Sequence, residues 1–226
     1  MSTRRVLNVG GNCKAILLPP IYDGWEHLLL DIDPRGKPDV VCDARAMTSL
    51  PAAAYDAVYC SHNLEHYHRH DVPKVLAGFR HVLKPDGFVH LRVPDIGAVM
   101  QIAVQKNLDI DDVLYQSPAG PITVRDVIYG WGVEIERSGN DFFAHKTGFT
   151  AKSLTRVLQA CGFANLFVGT ANLEIVAYAF TGTANAYATA LLKLPVAAPR
   201  STGSSNSAGR YRDLLTRQSS YRPAQP

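Results

Sequence analysis

Tyr55–Pro94 reads YDAVYCSHNLEHYHRHDVPKVLAGFRHVLKPDGFVHLRVP. An apolar run, Tyr55–Cys60, gives way to a polar corner, Ser61–His66, and then to a helical pattern. Val72, Val75, Leu76, Phe79, Val82 and Leu83 recur at three- and four-residue spacing, which puts them on one helix face. Asp71 is placed to cap that helix, and Pro73 falls in its first turn, where a missing N–H costs little. Lys84-Pro85-Asp86-Gly87 stops it before a second apolar run, Phe88–Val93. Two strands joined through a helix pair in parallel, with a right-handed crossover. Parallel sheets take ligands at the carboxyl ends of their strands, so Ser61–His66 is where chemistry is expected.

Upstream, Val6–Val9 is a short apolar strand that ends in the tight turn Gly10-Gly11-Asn12. Pro19-Pro20 leaves room only for a short helix after it. His27–Ile32 reads as a second strand, with Asp31 and Asp33 at its end, and Val40–Cys42 as a third, stopping at Asp43-Ala44. Downstream, residues 95–148 interrupt the alternation as an insertion. Two amphipathic helices are expected there, around Ile96–Ala103 and Val124–Trp131, among Tyr115, Tyr129, Phe142, Phe143 and His145. Thr150 then caps a helix that presents Leu154, Val157, Leu158 and Cys161 and closes at Gly162. Leu166–Gly169 and Leu173–Phe180 read as an antiparallel hairpin turning at Thr170-Ala171-Asn172. The organisation is one domain over residues 1–181, a linker or terminal helix over 182–198, and a disordered basic tail over 199–226.

The total of 226 residues suits a single domain. The formal charge of +3 is misleading as a sign of nucleic-acid binding. The tail carries five arginines and one acid, which leaves 18 basic against 19 acidic residues in positions 1–198. The folded part is therefore not basic, and the charge argues against nucleic acid as its partner. The four cysteines form no CxxC pair, which fits reduced thiols and a cytoplasmic setting. No run reaches the roughly 20 apolar residues of a membrane span.

Taken together, LNVGGN, DIDP, YDAVYCSHNLEH and FRHVLKPDGFVHLRVPD resemble class I S-adenosylmethionine-dependent methyltransferases, and within them the type 11 methyltransferase-like bacterial subgroup. The resemblance implies a Rossmann-like α/β fold: five parallel strands plus a C-terminal antiparallel hairpin, in three α/β/α layers with a reduced first helix. It implies S-adenosyl-L-methionine as cofactor, held by Gly10, Gly11 and Asn12 at the methionine end, by Asp31 at the ribose and by Asp43 and Ala44 at the adenine. Ser61 and His62 would lie beside the sulfonium. Asn12 stands where the family usually has a glycine, and Asn8 where it usually has an acid.

The implied reaction is methyl transfer by in-line displacement to a small-molecule, saccharide or lipid-linked acceptor. His62 and His145 are candidates for taking a proton from a hydroxyl acceptor, with Tyr129 to orient it. The alternatives are a methyltransferase-like binding module without activity and a zinc hydrolase. The second comes from His62-Asn63-Leu64-Glu65-His66, which matches H-x-x-E-H. That pattern needs a sustained helix, and here the convincing helix begins only near Asp71, so no metal is assigned.

Overall fold

The computed structural model describes residues 3–118 and 120–195. The expected tail over 199–226 lies outside the described residues. Five strands run in parallel: β1 (Arg5–Val9), β2 (Glu26–Asp31), β3 (Val40–Val41), β4 (Tyr55–Ser61) and β5 (Leu83–Pro94), with helix α1 (Val72–Val82) between the last two. Then come α2 (Ile96–Lys106), a small hairpin of β6 (Val113–Ser117) and β7 (Gly120–Thr123), α3 (Val124–Tyr129), α4 (Gly132–Ser138) and α5 (Ala151–Ala160). β8 (Asn165–Ala171), β9 (Glu174–Phe180) and α6 (Ala186–Leu191) complete the order.

The main sheet is ordered β3-β2-β1-β4-β5-β9-β8, with β9 reversed and therefore antiparallel to both β5 and β8. The hairpin turn differs from the expected one. β8 continues through Ala171, and the chain reverses at Asn172-Leu173, both left-handed at φ 52° and 65°. Two successive positive-φ residues match the right-handed twist of the flanking strands. Leucine is a poor residue for that role, which is why the sequence pointed to Thr170–Asn172 instead. β5 also starts earlier than expected, at Leu83. Its register against β4 jumps from Tyr55↔Leu83 to Ala57↔Phe88, so Lys84–Gly87 forms an outward loop within the strand. The hairpin β6–β7 was not foreseen in the insertion.

Side chains alternate across the sheet with period two. Leu7, Val9, Val58, Cys60, Val89, Leu91, Ile175 and Ala177 face one side, where they pack with Val75, Leu76 and Phe79 of α1 and Leu154 and Leu158 of α5. Val6, Ala57, Tyr59, Phe88 and Phe180 face the other, which is largely aromatic. The crossover from β1 to β2 holds no α-helix, only the single 3-10 turn Pro20–Tyr22, as the prolines require. Tyr22, with Ala188, Leu192 and Leu194 of α6 and the turn after it, covers this face instead. The insertion has a core of its own, Val99, Leu114, Val124 and Val127, seated over the carboxyl end of the sheet against Leu173.

Candidate functional site

After β1 the chain leaves for β2 and β3 on one side, then returns to β4 on the other. This reversal opens a crevice at the carboxyl ends of β1 and β4. A cavity of about 990 Å³ occupies it, walled by Gly10–Asn12, Asp31, Ser61–Asn63 and the insertion. Gly10 is left-handed at φ +72°, and a Cβ there would lie 2.0 Å from Asn63 Nδ2. A Cβ on Gly11 would lie 2.1 Å from Asn8 Nδ2. The left-handed backbone and the approach of Asn63 require a glycine at position 10, and at Gly11 a side chain would have to displace the Asn8 amide. Asn12 is left-handed as well, at φ 60°, a conformation asparagine tolerates better than other side chains. Its N–H donates to Asp31 Oδ2 at 3.0 Å, and the Asp33 N–H donates to Asp31 Oδ1 at 2.9 Å. Two of the four acceptor positions on the Asp31 carboxylate remain for a ligand.

The third corner is more occupied. Asp43 caps the turn Ala44–Ser49 by accepting from Arg45 N at 2.9 Å, and it also holds the Arg45 guanidinium. This pairing, with burial working against it, holds the Asp43 carboxyl below its ordinary range. Asp43 lines the cavity, while Ala44 is buried behind the corner and does not. Asp33 caps the turn Pro34–Gly36 and pairs with Arg35.

The fourth corner is a knot of charge. His62 is left-handed at φ 49° and its Nε2 meets Glu174 Oε1 at 2.8 Å, while Nδ1 lies 3.6 Å from Glu65 Oε1. Burial would lower this imidazole, but the two carboxylates outweigh it and raise its pKa to about 10. His62 is therefore a cation at neutral pH and cannot accept a proton there. Glu174 also pairs with Arg92. It reaches this corner because β9 is antiparallel: its first residue pairs with the last of β5, Pro94↔Glu174.

Glu65, 1% exposed, sits behind the wall with neither carboxylate oxygen hydrogen-bonded. Burial pushes its pKa up, and the surrounding histidines outweigh that and hold it down. His66 bonds two carbonyls, His62 O at 3.0 Å through Nε2 and Ala144 O at 3.1 Å through Nδ1. The Glu65 carbonyl accepts from the N–H groups of Lys146 and Thr147 at 2.8 and 3.1 Å, which ties the insertion to this corner. That tie brings His145 in, its Nε2 4.0 Å from Glu65 Oε1 and its ring centroid 5.0 Å from that of His66. His145 Nδ1 donates to Val127 O at 2.9 Å, which leaves the lone pair on Nε2. Burial lowers its pKa, so it is neutral at pH 7.

The segment Leu64–His66 is a single 3-10 turn, and His62 lies outside it. The sustained helix that a protease-type H-x-x-E-H needs is absent from this corner. Tyr129 accepts the His145 N–H on its carbonyl at 2.9 Å, but its side chain, 57% exposed, does not line the cavity. Asn63, Arg92 and Glu174 belong to the wall and were missed in the sequence. So were Tyr115, Trp131 and Phe143 as lining residues. Asn63 was legible only as part of SHNLEH, and Glu174 carried no signal without the strand register.

Residues 23–91 match the family model of the methyltransferase domain. Among proteins of curated function, none matches this sequence. Among solved structures, the citrinin polyketide synthase CMeT domain is 14% identical with a TM-score of 0.49; 79% of this chain aligns with 46% of that one. This chain thus spans about half the length of that relative. A SAM-dependent methyltransferase from Archaeoglobus fulgidus is 17% identical, covering 78% of this chain and 86% of its own, with a TM-score of 0.46. A protein of Rhodobacter sphaeroides described as a Zn-dependent alcohol dehydrogenase candidate is 11% identical, with coverage of 80% and 85% and a TM-score of 0.50. Likenesses this distant carry no statement about activity; the segment that the family model matches runs from just before the second strand through its corner acids and the SHNLEH corner into β5. Over residues 23–91 this chain is thus similar to the methyltransferase domain family.

Proposed function

We propose that the protein methylates a small molecule, or a saccharide or lipid-linked intermediate, held between the glycine corner and the insertion. One observation carries the reading: a single cavity joins Gly10–Asn12 and Asp31 to a wall of Tyr115, Trp131 and Phe143. The cofactor, when bound, supplies a methyl group already activated on a sulfonium. Gly10, Gly11 and Asn12 would face its methionine end, Asp31 its ribose, and the Asp43 corner its adenine.

What the chain itself contributes is orientation and exclusion of water, which can account for roughly 7–11 kcal/mol of a barrier. The aromatic wall suits a partly apolar acceptor, and the His62 cation beside Glu174 suits a polar group at its reacting end. His145, neutral with a bare Nε2, is the Lewis base of this wall; His62 is a donor. Calorimetry with S-adenosylhomocysteine tests the cofactor half. The wild type should bind, and Asp31→Ala should weaken binding tenfold or more. Absence of binding to the wild type at millimolar ligand would sink the proposal. Methyl-labelled donor incubated with metabolite extracts then identifies the acceptor, and turnover with any acceptor excludes the inactive binding module.

A further inference from the structure

Glu65 is a buried carboxylate held by histidines without a direct hydrogen bond. A carboxylate taken out of water needs a compensating hydrogen bond or charge, and the cost of leaving one bare is several kcal/mol. Glu65 is 1% exposed, and both of its oxygens lack a hydrogen-bond partner. The His62 cation, Nδ1 3.6 Å from Oε1, compensates its charge from one side, and His66 and His145 approach it from the other. One donor atom each from Glu65, His66 and His145 lie within 4.8 Å of one another. His66 and His145 line the cavity, and Glu65 lies behind them in the same wall.

We propose that Glu65, His66 and His145 bind a divalent transition-metal ion in the wall of the cavity. Two imidazoles and one carboxylate are a donor set suited to zinc, and three protein donors leave a coordination position for water or a ligand oxygen. His145 is already set for it. Nδ1 donates to Val127 O at 2.9 Å, the outer hydrogen bond that fixes the tautomer of a ligating histidine and aims Nε2. His66 exchanges one of its two carbonyl bonds for the metal. Ligand bonds of about 2.1 Å require donors roughly 3.4 Å apart, so the three side chains draw together by about an ångström.

This set is not the helical H-x-x-E-H reading. His62 is engaged with Glu174, Glu65 is a ligand and not a base, and the second histidine comes from the insertion 79 positions after His66. Its consequence for catalysis rests on the methyl-transfer reading: a hydroxyl acceptor bound at the open position would lose its proton more readily. The binding itself does not rest on it.

The test uses the full chain, without a histidine tag, stripped by chelator and titrated with Zn2+ in a calorimeter. One ion per chain, bound at micromolar Kd or tighter, is expected. Glu65→Gln and His145→Ala should each weaken binding at least 100-fold, whereas His68→Ala, outside the cluster, should leave it unchanged. A wild type that binds no Zn2+, or binds it equally well with His145→Ala, overturns the proposal. Should Glu65→Gln fail to fold, the visible spectrum of Co2+ in the wild type decides. Bands of a nitrogen- and oxygen-ligated site, bleached by Zn2+, support the site, and a spectrum of free aqueous Co2+ refutes it. S-adenosylhomocysteine binding measured on the stripped protein separates this outcome from the cofactor reading.

Discussion

The imidazole of His90 is buried on the aromatic face, its ring centroid 5.0 Å from Tyr59 and 4.6 Å from Tyr178, with Nδ1 3.3 Å from the Tyr22 hydroxyl. Burial first and Arg92 second lower its pKa to about 3. The folded state therefore keeps His90 neutral, while the unfolded chain takes up a proton below about pH 6.5. Stability from this residue is complete above that pH and is lost as pH falls toward about 3, by up to about 1.4 kcal/mol per unit. Urea denaturation between about pH 6.5 and 4.5 should show that slope. The double variant His90→Phe/Tyr22→Phe, which leaves no orphaned hydroxyl, should lose roughly one proton of it. Equal slopes would mean that His90 is already charged in the fold. None of this was legible in GFVHLRVP, where His90 is one polar residue in an apolar run. The glycine corner and Asp31 were legible, because a backbone that must bend tightly after a strand, and an acid ending the next one, leave a mark in residue type. Glu174 and Asn63 left none, since their places depend on which strand ends adjoin.

At the scale of elements, α1 shows where local preference and packing disagree. Gly78 lies inside that helix, where alanine would be favoured by about 1 kcal/mol. An added Cβ would stand 2.6 Å from Met47 Cβ and 3.3 Å from Ala44 O, both in the turn that follows β3. Neither atom is the end of a flexible side chain, so the helix and the turn would have to separate. Overpacking of this kind costs about 1–3 kcal/mol and outweighs the propensity. Gly78→Ala should therefore be less stable than the wild type by urea denaturation. A stabilised variant would show that the Ala44–Ser49 turn yields freely. The helical period of α1 was plain in the sequence, and a glycine on its buried face hinted at a close neighbour. Which neighbour it meets was not readable, nor was the β6–β7 hairpin, whose short strands are half exposed and carry little alternation.

For the whole molecule, the reduced first helix leaves a gap on one face of the sheet, and the far end of the chain fills it. Asn185 caps α6 by accepting from Ala188 N at 2.7 Å, and its amide donates to Asp86 Oδ2 at 3.2 Å. Tyr187 receives the Arg4 guanidinium 3.4 Å above its ring and lies beside Trp25. Below them Ala188, Leu192 and Leu194 close over Val6, Ala57 and Phe88. The stretch 182–198 was open in the sequence between linker and helix, because six helical residues are too few to show a period, and their role follows from what Pro19-Pro20 prevents elsewhere. If α6 seals the sheet, removing a buried side chain beside it should cost what a core residue costs. Leu192, 4% exposed, should lose about 2–4 kcal/mol on replacement by alanine. Val104→Ala on α2, 82% exposed, should stay within about 0.5 kcal/mol. Chemical denaturation of both variants beside the wild type makes the comparison. Similar small losses in the two would mean that α6 only rests on the sheet, and that Tyr22 and Trp25 cover the aromatic face unaided.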